Sequence, residues 1–266
     1  MRQRYTASCY LRRVMRIALI GNGNLAWHLS TAFRSAGLHI DMHLSRSNDQ
    51  SLGWTLVRSW SEMPADIDLY LLAVPDACIA EASSHIATNA AVVHFSGGTS
   101  IEAIPQQHRA VCWPCQTLTK GTVIDYSTIP VVFECSDSHT RNLIDRSLRK
   151  AWGTWTEANA QQRMMAHVAA VFSNNFTNHM QHIAHGLLHE AGLPTHLLHP
   201  MVKAHMSLLD KHEPSAVQTG PAKRNDVDTI QRHIALLQSH PDWKKLYESI
   251  SEDIIETHRS NIQNTT

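Results

Sequence analysis

A doubly wound, mostly parallel α/β domain followed by an all-α domain is the fold class this sequence predicts, and three observations predict it. Short apolar runs bounded by Gly, Pro or Ser recur from Ile17 to Thr156, separated by amphipathic stretches of helical spacing. The first run passes directly into Gly21-x-Gly23-x-x-Ala26 and then into a helical pattern. From Glu157 onward the strand-like runs stop and apolar residues recur at three and four. The expected divisions are an extension over 1–14, a sheet domain over 15–156, a helical domain over 157–258 and a tail over 259–266.

Ile17–Ile20 suits a strand buried on both faces. Gly21 allows a tight turn, Gly23 lets a phosphate approach the backbone, and Ala26 keeps the helix close to the strand. Asn22, Asn24 and Leu25 share that turn, and the amides of the helix start favour an anion. Leu29, Ala32, Phe33 and Ala36 continue the helix, and Gly37 ends it. Leu38–Leu44 reads as the second strand, ending in Ser45-Arg46-Ser47. An NAD site has an acid there for the ribose hydroxyls, whereas this chain has groups that hold a 2′-phosphate. Asp41 lies too early for the ribose role. The expected cofactor is therefore NADP rather than NAD.

Trp54–Trp60 fits a short helix or a strand equally well. Asp66–Val74 is a buried strand running into Pro75, which places Ala73, Val74 and Pro75 at the ligand-binding carboxyl edge. Ile79–Ile86 reads as the crossover helix, and Ala91–Phe95 as the next strand. Ser96, Gly97 and the turn through Ser100 follow at the same edge, facing a nicotinamide; Thr99 or Ser100 caps a further helix. Cys112 and Cys115 form a lone C-x-x-C, read as ordinary thiols in a substrate-side loop that continues into Gln116. Ile129–Glu134 is a strand, His139–Ala151 a helix and Trp152–Thr156 the last strand.

Helical periodicity takes over from Glu157 and shows in Met164 through Ala191, a helix of about 50 Å if it begins at Glu157, which suggests a homodimer spanning two copies. A shorter helix over Thr195–Leu209, disturbed at Pro200, leads to the loop Glu213–Asn225 and two closing helices over 226–239 and 241–258.

The 266 residues carry 23 basic and 23 acidic side chains, so no basic surplus favours nucleic acid and no polybasic tract favours a membrane surface. No apolar run has the ~20 residues of a membrane span. Five scattered cysteines fit a reducing, cytoplasmic compartment better than a disulfide framework, and no second Cys pair completes a zinc site. Residues 1–14 carry four arginines and no acid. Met15 directly precedes the first strand, so Met1 reads as an upstream start and the extension is expected to be disordered or absent from the native product.

Residues 15–156 resemble the NADP-binding domain of the pyrroline-5-carboxylate reductase and 6-phosphogluconate dehydrogenase superfamily. The matching pieces are Ile20-Gly21-Asn22-Gly23-Asn24-Leu25-Ala26, Ser45-Arg46-Ser47, Leu72-Ala73-Val74-Pro75 and Ser96 to Glu102. Pro114-Cys115-Gln116-Thr117 and Thr219 to Asp226 carry a closer likeness, to relatives that join a Rossmann-like domain to the helical DUF2520 domain. In related hydroxyacid dehydrogenases a catalytic lysine precedes an asparagine pair on the long helix. The pair matches Asn174-Asn175, but Val171 or Phe172 stands at the lysine position. His167, one turn earlier, shares a helical face with Val171 and Asn174 and is the local proton donor expected in its place. In pyrroline-5-carboxylate reductases a late Gly/Thr-rich loop holds the substrate carboxylate. The resemblance implies a similar role for Thr219, Gly220, Lys223 and Arg224.

The function expected from residues and resemblance together is an NADPH-dependent oxidoreductase acting on a small anionic carbonyl or imine compound, with His167 and Asn174 catalytic. An NADP-binding sensor or partner protein without turnover is the second reading, favoured by the missing lysine. A redox role for Cys112 and Cys115 is the third.

Overall fold

The computed structural model describes residues 14–47, 50–87 and 89–263. All but the last residue of the expected disordered extension lies outside them. The chain forms two compact units, Met1–Ser173 and Asn174–Thr266. The helical texture that begins at Glu157 starts within the first of these units.

The first unit is built on β1 (Ile17–Ile20), α1 (Asn24–Ser35), β2 (Met42–Leu44), β3 (Leu56–Val57), β4 (Leu69–Leu72), α2 (Ile79–Ser84), β5 (Ala91–His94), β6 (Arg109–Pro114), β7 (Val131–Cys135), α3 (Ser138–Arg146), α4 (Leu148–Ala151), β8 (Trp155–Glu157) and α5 (Ala160–Ala170). The strands form one sheet in the order β3-β2-β1-β4-β5-β6-β7-β8. Every neighbouring pair is parallel except β6 and β7. Strand order reverses at β1, which makes the carboxyl edge beside β1 and β4 the switch point where such sheets bind ligands.

β1, β4 and β5 are buried along their whole length, as their unbroken apolar runs require. Successive side chains of β1 alternate between faces. Ile17 and Leu19 join the core under α1 with Phe33 and Leu29, and Ala18 and Ile20 join the opposite core with Ile79 and Ile104.

Several expected elements change length. Leu38–Asp41 is an extended connection rather than strand. There Asp41 donates its N–H to the Ile17 carbonyl at 2.8 Å, and its carboxylate accepts from the Ile17 N–H at 2.8 Å. The ambiguous Trp54–Trp60 resolves into two-residue β3 and a 3₁₀ turn, Trp60–Glu62. The helix expected after Ser100 is one 3₁₀ turn, Ile101–Ala103, capped by the Ser100 side chain. Cys112 lies inside β6 rather than in a loop, and its register partner on β7 is Phe133. The helix expected over His139–Ala151 breaks at Ser147, whose hydroxyl donates to the Leu143 carbonyl at 2.6 Å.

The long helix starts at a capping box made by Asn159 and Gln162. It runs as α5, a π-helical turn over Val171–Phe176, and α6 (Thr177–Glu190). In the second unit α6 is followed by a 3₁₀ turn, α7 (His199–Leu209), α8 (Pro214–Val217), α9 (Val227–Leu236) and α10 (Pro241–Gln263). Pro200 sits in the first turn of α7, where it starts the helix instead of disturbing it. α8 is one turn inside the loop expected over 213–225. α10 continues to Gln263, so the expected tail from 259 is helical over most of its length. Among the described residues no helix is long and apolar enough to cross a membrane.

Candidate functional site

The turn after β1 is fixed from three sides. Gly21 donates its N–H to the Leu44 carbonyl at 2.9 Å and accepts from the buried His43 Nε2–H at 2.8 Å. Its φ is +111°, and a Cβ there would stand 2.2 Å from the Ala73 carbonyl oxygen. Only glycine lets the ends of β1 and β4 meet this closely. Ala73 in turn donates to the Ile20 carbonyl at 2.8 Å. A Cβ at Gly23 would face open space. Gly23 is the N-cap of α1, and no side chain caps that end. The amides of the first turn are thereby left to an outside acceptor.

This turn opens on a cleft of about 740 Å³ at the switch point. Gly21 to Leu25, Ser45, Arg46, Ser47 and Ala73 to Pro75 all line it. Ala26 is buried behind the turn in the core. The Asn24 side-chain oxygen also accepts the Lys120 N–H at 3.1 Å, tying the segment after β6 to α1. Buried His28 fastens the same segment, through Thr119 O and Tyr126 Oη, each at 2.9 Å. At the end of β2 the Ser45 hydroxyl accepts from the Ser47 N–H at 3.1 Å, and Arg46 and Ser47 are exposed to the cleft. Among the described residues of that strand end, Ser45, Arg46 and Ser47 carry no carboxylate, and Asp41 is engaged at the start of β1.

Ser96 and Gly97 follow β5 and lie outside the lining of that cleft. The Ser96 hydroxyl donates to Asp76 Oδ2 at 2.6 Å and accepts the Thr99 N–H at 3.0 Å, linking this turn to the end of β4. Beneath it His94 accepts from Ser96 N at 3.2 Å through Nδ1 and donates to the Ser100 carbonyl at 3.3 Å through Nε2. Burial pushes the His94 pKa down to about 4, so the ring is neutral.

α5 brings His167 to this turn. A Cβ on Gly97 would lie 2.8 Å from the Trp113 ring and 3.1 Å from His167 Cγ, and one on Gly98 would lie 3.4 Å from His167 Nε2. The Trp113 and His167 rings meet edge to face at 5.3 Å. His167 Nδ1 is buried with no hydrogen-bond partner among the described residues. One turn earlier Arg163, 1% exposed, donates to the Gly97 carbonyl at 2.7 Å and pairs with Glu134 on β7 at 3.2 Å. Arg163 was missed in the sequence; its place four residues before His167, on the same face of α5, was the available signal.

Gln116 is exposed, and its side-chain oxygen accepts the N–H of Thr117. Asn174 lies in the π-helical turn, so the uninterrupted 3.6-residue spacing that put it on the face of His167 does not hold there. In the second unit Gly220 has φ +102° and Asn225 φ +53°, and Asp226 caps α9 by accepting from Thr229 N at 3.1 Å. Lys223 and Arg224 are exposed, while Thr219 and buried Ala222 line an apolar cavity of about 260 Å³ with Met180, Trp243 and Tyr247. Burial raises the pKa of the Cys112 and Cys115 thiols, opposite to the shift of a redox-active thiolate. Among the described residues no cluster of His, Cys, Asp or Glu suits a metal.

The DUF2520 family model, a domain of unknown function, matches residues 129–254. Protein BF3122 of Bacteroides fragilis, described as a candidate NADP oxidoreductase, is 30% identical over 91% of this chain and 98% of its own, with a TM-score of 0.80. Protein TM1727 of Thermotoga maritima is 22% identical over 92% of this chain and 99% of its own, with a TM-score of 0.73. The pyrroline carboxylate reductase of Plasmodium falciparum, solved with NADP bound, shares the fold at 10% identity, over 92% of this chain and 97% of its own, with a TM-score of 0.58. No curated protein matches the sequence.

Proposed function

Because this chain belongs to the DUF2520 family, in which a Rossmann-like domain precedes a helical one, we propose that it is an NADPH-dependent oxidoreductase of a small anionic carbonyl or imine compound. The observation that carries the reading is the cleft at the switch point. Its turn approaches the β4 end as only glycine allows, its helix start has no side-chain cap, and the described residues of its β2 end, Ser45 to Ser47, include Arg46 and no carboxylate. Those groups suit a pyrophosphate and a 2′-phosphate. The description of BF3122 as a candidate NADP oxidoreductase and the NADP bound to the Plasmodium reductase support the same cofactor.

The reduced nicotinamide supplies the hydride. The chain's residues orient the reactants and deliver a proton. Gly21 to Ala26 hold the pyrophosphate. Ser45, Arg46 and Ser47 hold the adenosine side, and Ala73 to Pro75 with Ser96 and Gly97 border the nicotinamide. We assign proton delivery to His167 Nδ1, the ring nitrogen that has no partner among the described residues. Arg163 positions this residue's surroundings by holding the Gly97 carbonyl. Asn174 is the second catalytic residue of the proposal, and Gln116, Thr219, Gly220, Lys223 and Arg224 are assigned to the substrate, with the two cations suited to an anion. A π-helical turn at Asn174 fits such a role, since these turns recur at functional sites.

The active form we propose is a homodimer through the helical unit, supported by the large apolar side chains exposed there, among them Leu197 and Met201. Unpaired Cys78, Cys112, Cys115 and Cys135 support a reducing, cytoplasmic setting. The test is NADPH consumption with a panel of imino and keto acids. Substrate-dependent loss of NADPH absorbance is the expected result. Tight binding with a flat absorbance trace for every compound would favour a sensor without turnover, the reading that the missing lysine at Val171 or Phe172 supports.

A further inference from the structure

The far end of the 740 Å³ cleft is walled by side chains that no motif marks. Arg58 directly follows β3. Ser45 donates its N–H to the Val57 carbonyl at 3.3 Å, which joins the ends of β2 and β3 and sets Arg58 one strand over from Arg46. Both arginines line the cleft and are exposed. The neighbouring carboxylate, Glu62, accepts from Arg58 N at 3.2 Å and Ser59 Oγ at 3.0 Å.

Across from this loop, His85 ends α2. Its ring stacks on half-buried Trp60, the first residue of the 3₁₀ turn, with centroids 5.2 Å apart and planes inclined by 20°. Trp60 and His85 therefore clasp the β3 end to the α2 end across the cleft, and both line it. Flat rings and two arginines in the lining of one cleft form a surface for a purine carrying a phosphate. Glu81, one turn before His85, also lines the cleft and offers a carboxylate to an exocyclic amino group.

We propose that the Trp60–His85 pair is the adenine platform of this cleft and that Arg58 is the second cation, beside Arg46, for the 2′-phosphate. The proposal rests on the NADPH reading above and adds the residues that set the choice between NADPH and NADH. A doubly charged 2′-phosphate between two guanidinium groups gains charge-assisted hydrogen bonds that a bare hydroxyl does not. Stacking on Trp60 and His85 serves both nucleotides alike, because both carry adenine.

The test is a titration of the full chain and two variants with NADPH, NADH and adenosine 2′,5′-bisphosphate. Arg58→Gln is expected to weaken NADPH and the bisphosphate by roughly tenfold or more while leaving NADH unchanged. Trp60→Leu combined with His85→Ala is expected to weaken both dinucleotides by a similar factor, roughly tenfold, and to preserve their ratio. Melting temperatures close to wild type confirm that the variants are folded, and Arg58→Lys separates loss of charge from loss of the planar fork. An Arg58→Gln protein with the wild-type NADPH-to-NADH ratio, or a ring variant that binds both as tightly as wild type, overturns this assignment alone. A wild-type chain that binds neither dinucleotide overturns the NADPH reading itself.

Discussion

The two compact units handle their apolar residues in opposite ways. The sheet unit buries most of them, and its exposed ones lie largely on α5 and the π-helical turn, among them Met165 and Phe172. Its strands β1, β4 and β5 are covered on both faces, and two cores lie on either side of the sheet. The helical unit buries few: Ala222, Ile230 and Leu237 are its buried apolar residues among those described. Meanwhile Leu197 is 51% and Met201 63% exposed. The sheet unit carries a defined cleft. The helical unit has the surface of an element that needs a cover, which is why a second copy is proposed for it.

The comparison can be broken at the sheet unit by attacking the polar pair inside it. Replacing Arg163 with Met leaves the Glu134 carboxylate and the Gly97 carbonyl without their partner. Loss of one member of a buried pair costs about 3–5 kcal/mol. Urea unfolding should show a destabilisation of that size, and Arg163→Met with Glu134→Met should recover part of it. An unchanged midpoint would mean that the pair does not hold the Gly97 turn.

Gly21→Ala comes next. Its Cβ would meet the Ala73 carbonyl, and φ is positive. A cost of about 2–3 kcal/mol is expected, along with loss of nucleotide binding, read by thermal melting and by nucleotide fluorescence. A variant that melts and binds like wild type would refute the close approach.

The third effect depends on pH. Burial holds the folded-state pKa of His94 at about 4, below the ordinary value of 6.5. Between these values the unfolded chain binds more protons than the folded one, so stability is present above pH 6.5 and is lost as pH falls toward 4. From about pH 7 to about pH 4.5 the loss should be about 2 kcal/mol from this group. His94→Gln should flatten that part of the profile; an equally steep profile would remove His94 as the cause.

The smallest effect on stability is expected in the helical unit. Leu197→Lys with Met201→Glu, both exposed, should change chain stability by about 0.5 kcal/mol or less. The same pair should convert a dimer into a monomer in light scattering. A wild-type chain that is already monomeric at micromolar concentration would end the proposal that a second copy covers this face.

How far the sequence could be read follows from how local each feature is. The turn at Gly21 was legible because strand, glycines and helix are neighbours in the chain and each position has one steric reason. Arg46 was legible for the same reason, as the end of the next strand. Arg163 was not, since its partners Glu134 and Gly97 stand 29 and 66 residues away. The π-helical turn was hidden because an apolar spacing of three and four tolerates one wide turn without losing its face. β3, two residues long, carries too short a pattern to separate strand from helix, and with it Arg58 and Trp60 went unread. The helical residue Asn174 and the loop Thr219–Arg224 were marked by resemblance alone, and their catalytic and substrate roles rest on the functional proposal.

The account stands on the cleft beside Gly21, and the most direct test is fluorescence titration of the full chain with NADPH and NADH, repeated with Arg46→Asp. Tight NADPH binding, much weaker NADH binding and loss of NADPH binding in the variant is the predicted result. Binding of neither dinucleotide, or equal binding of both that Arg46→Asp leaves unchanged, would contradict it.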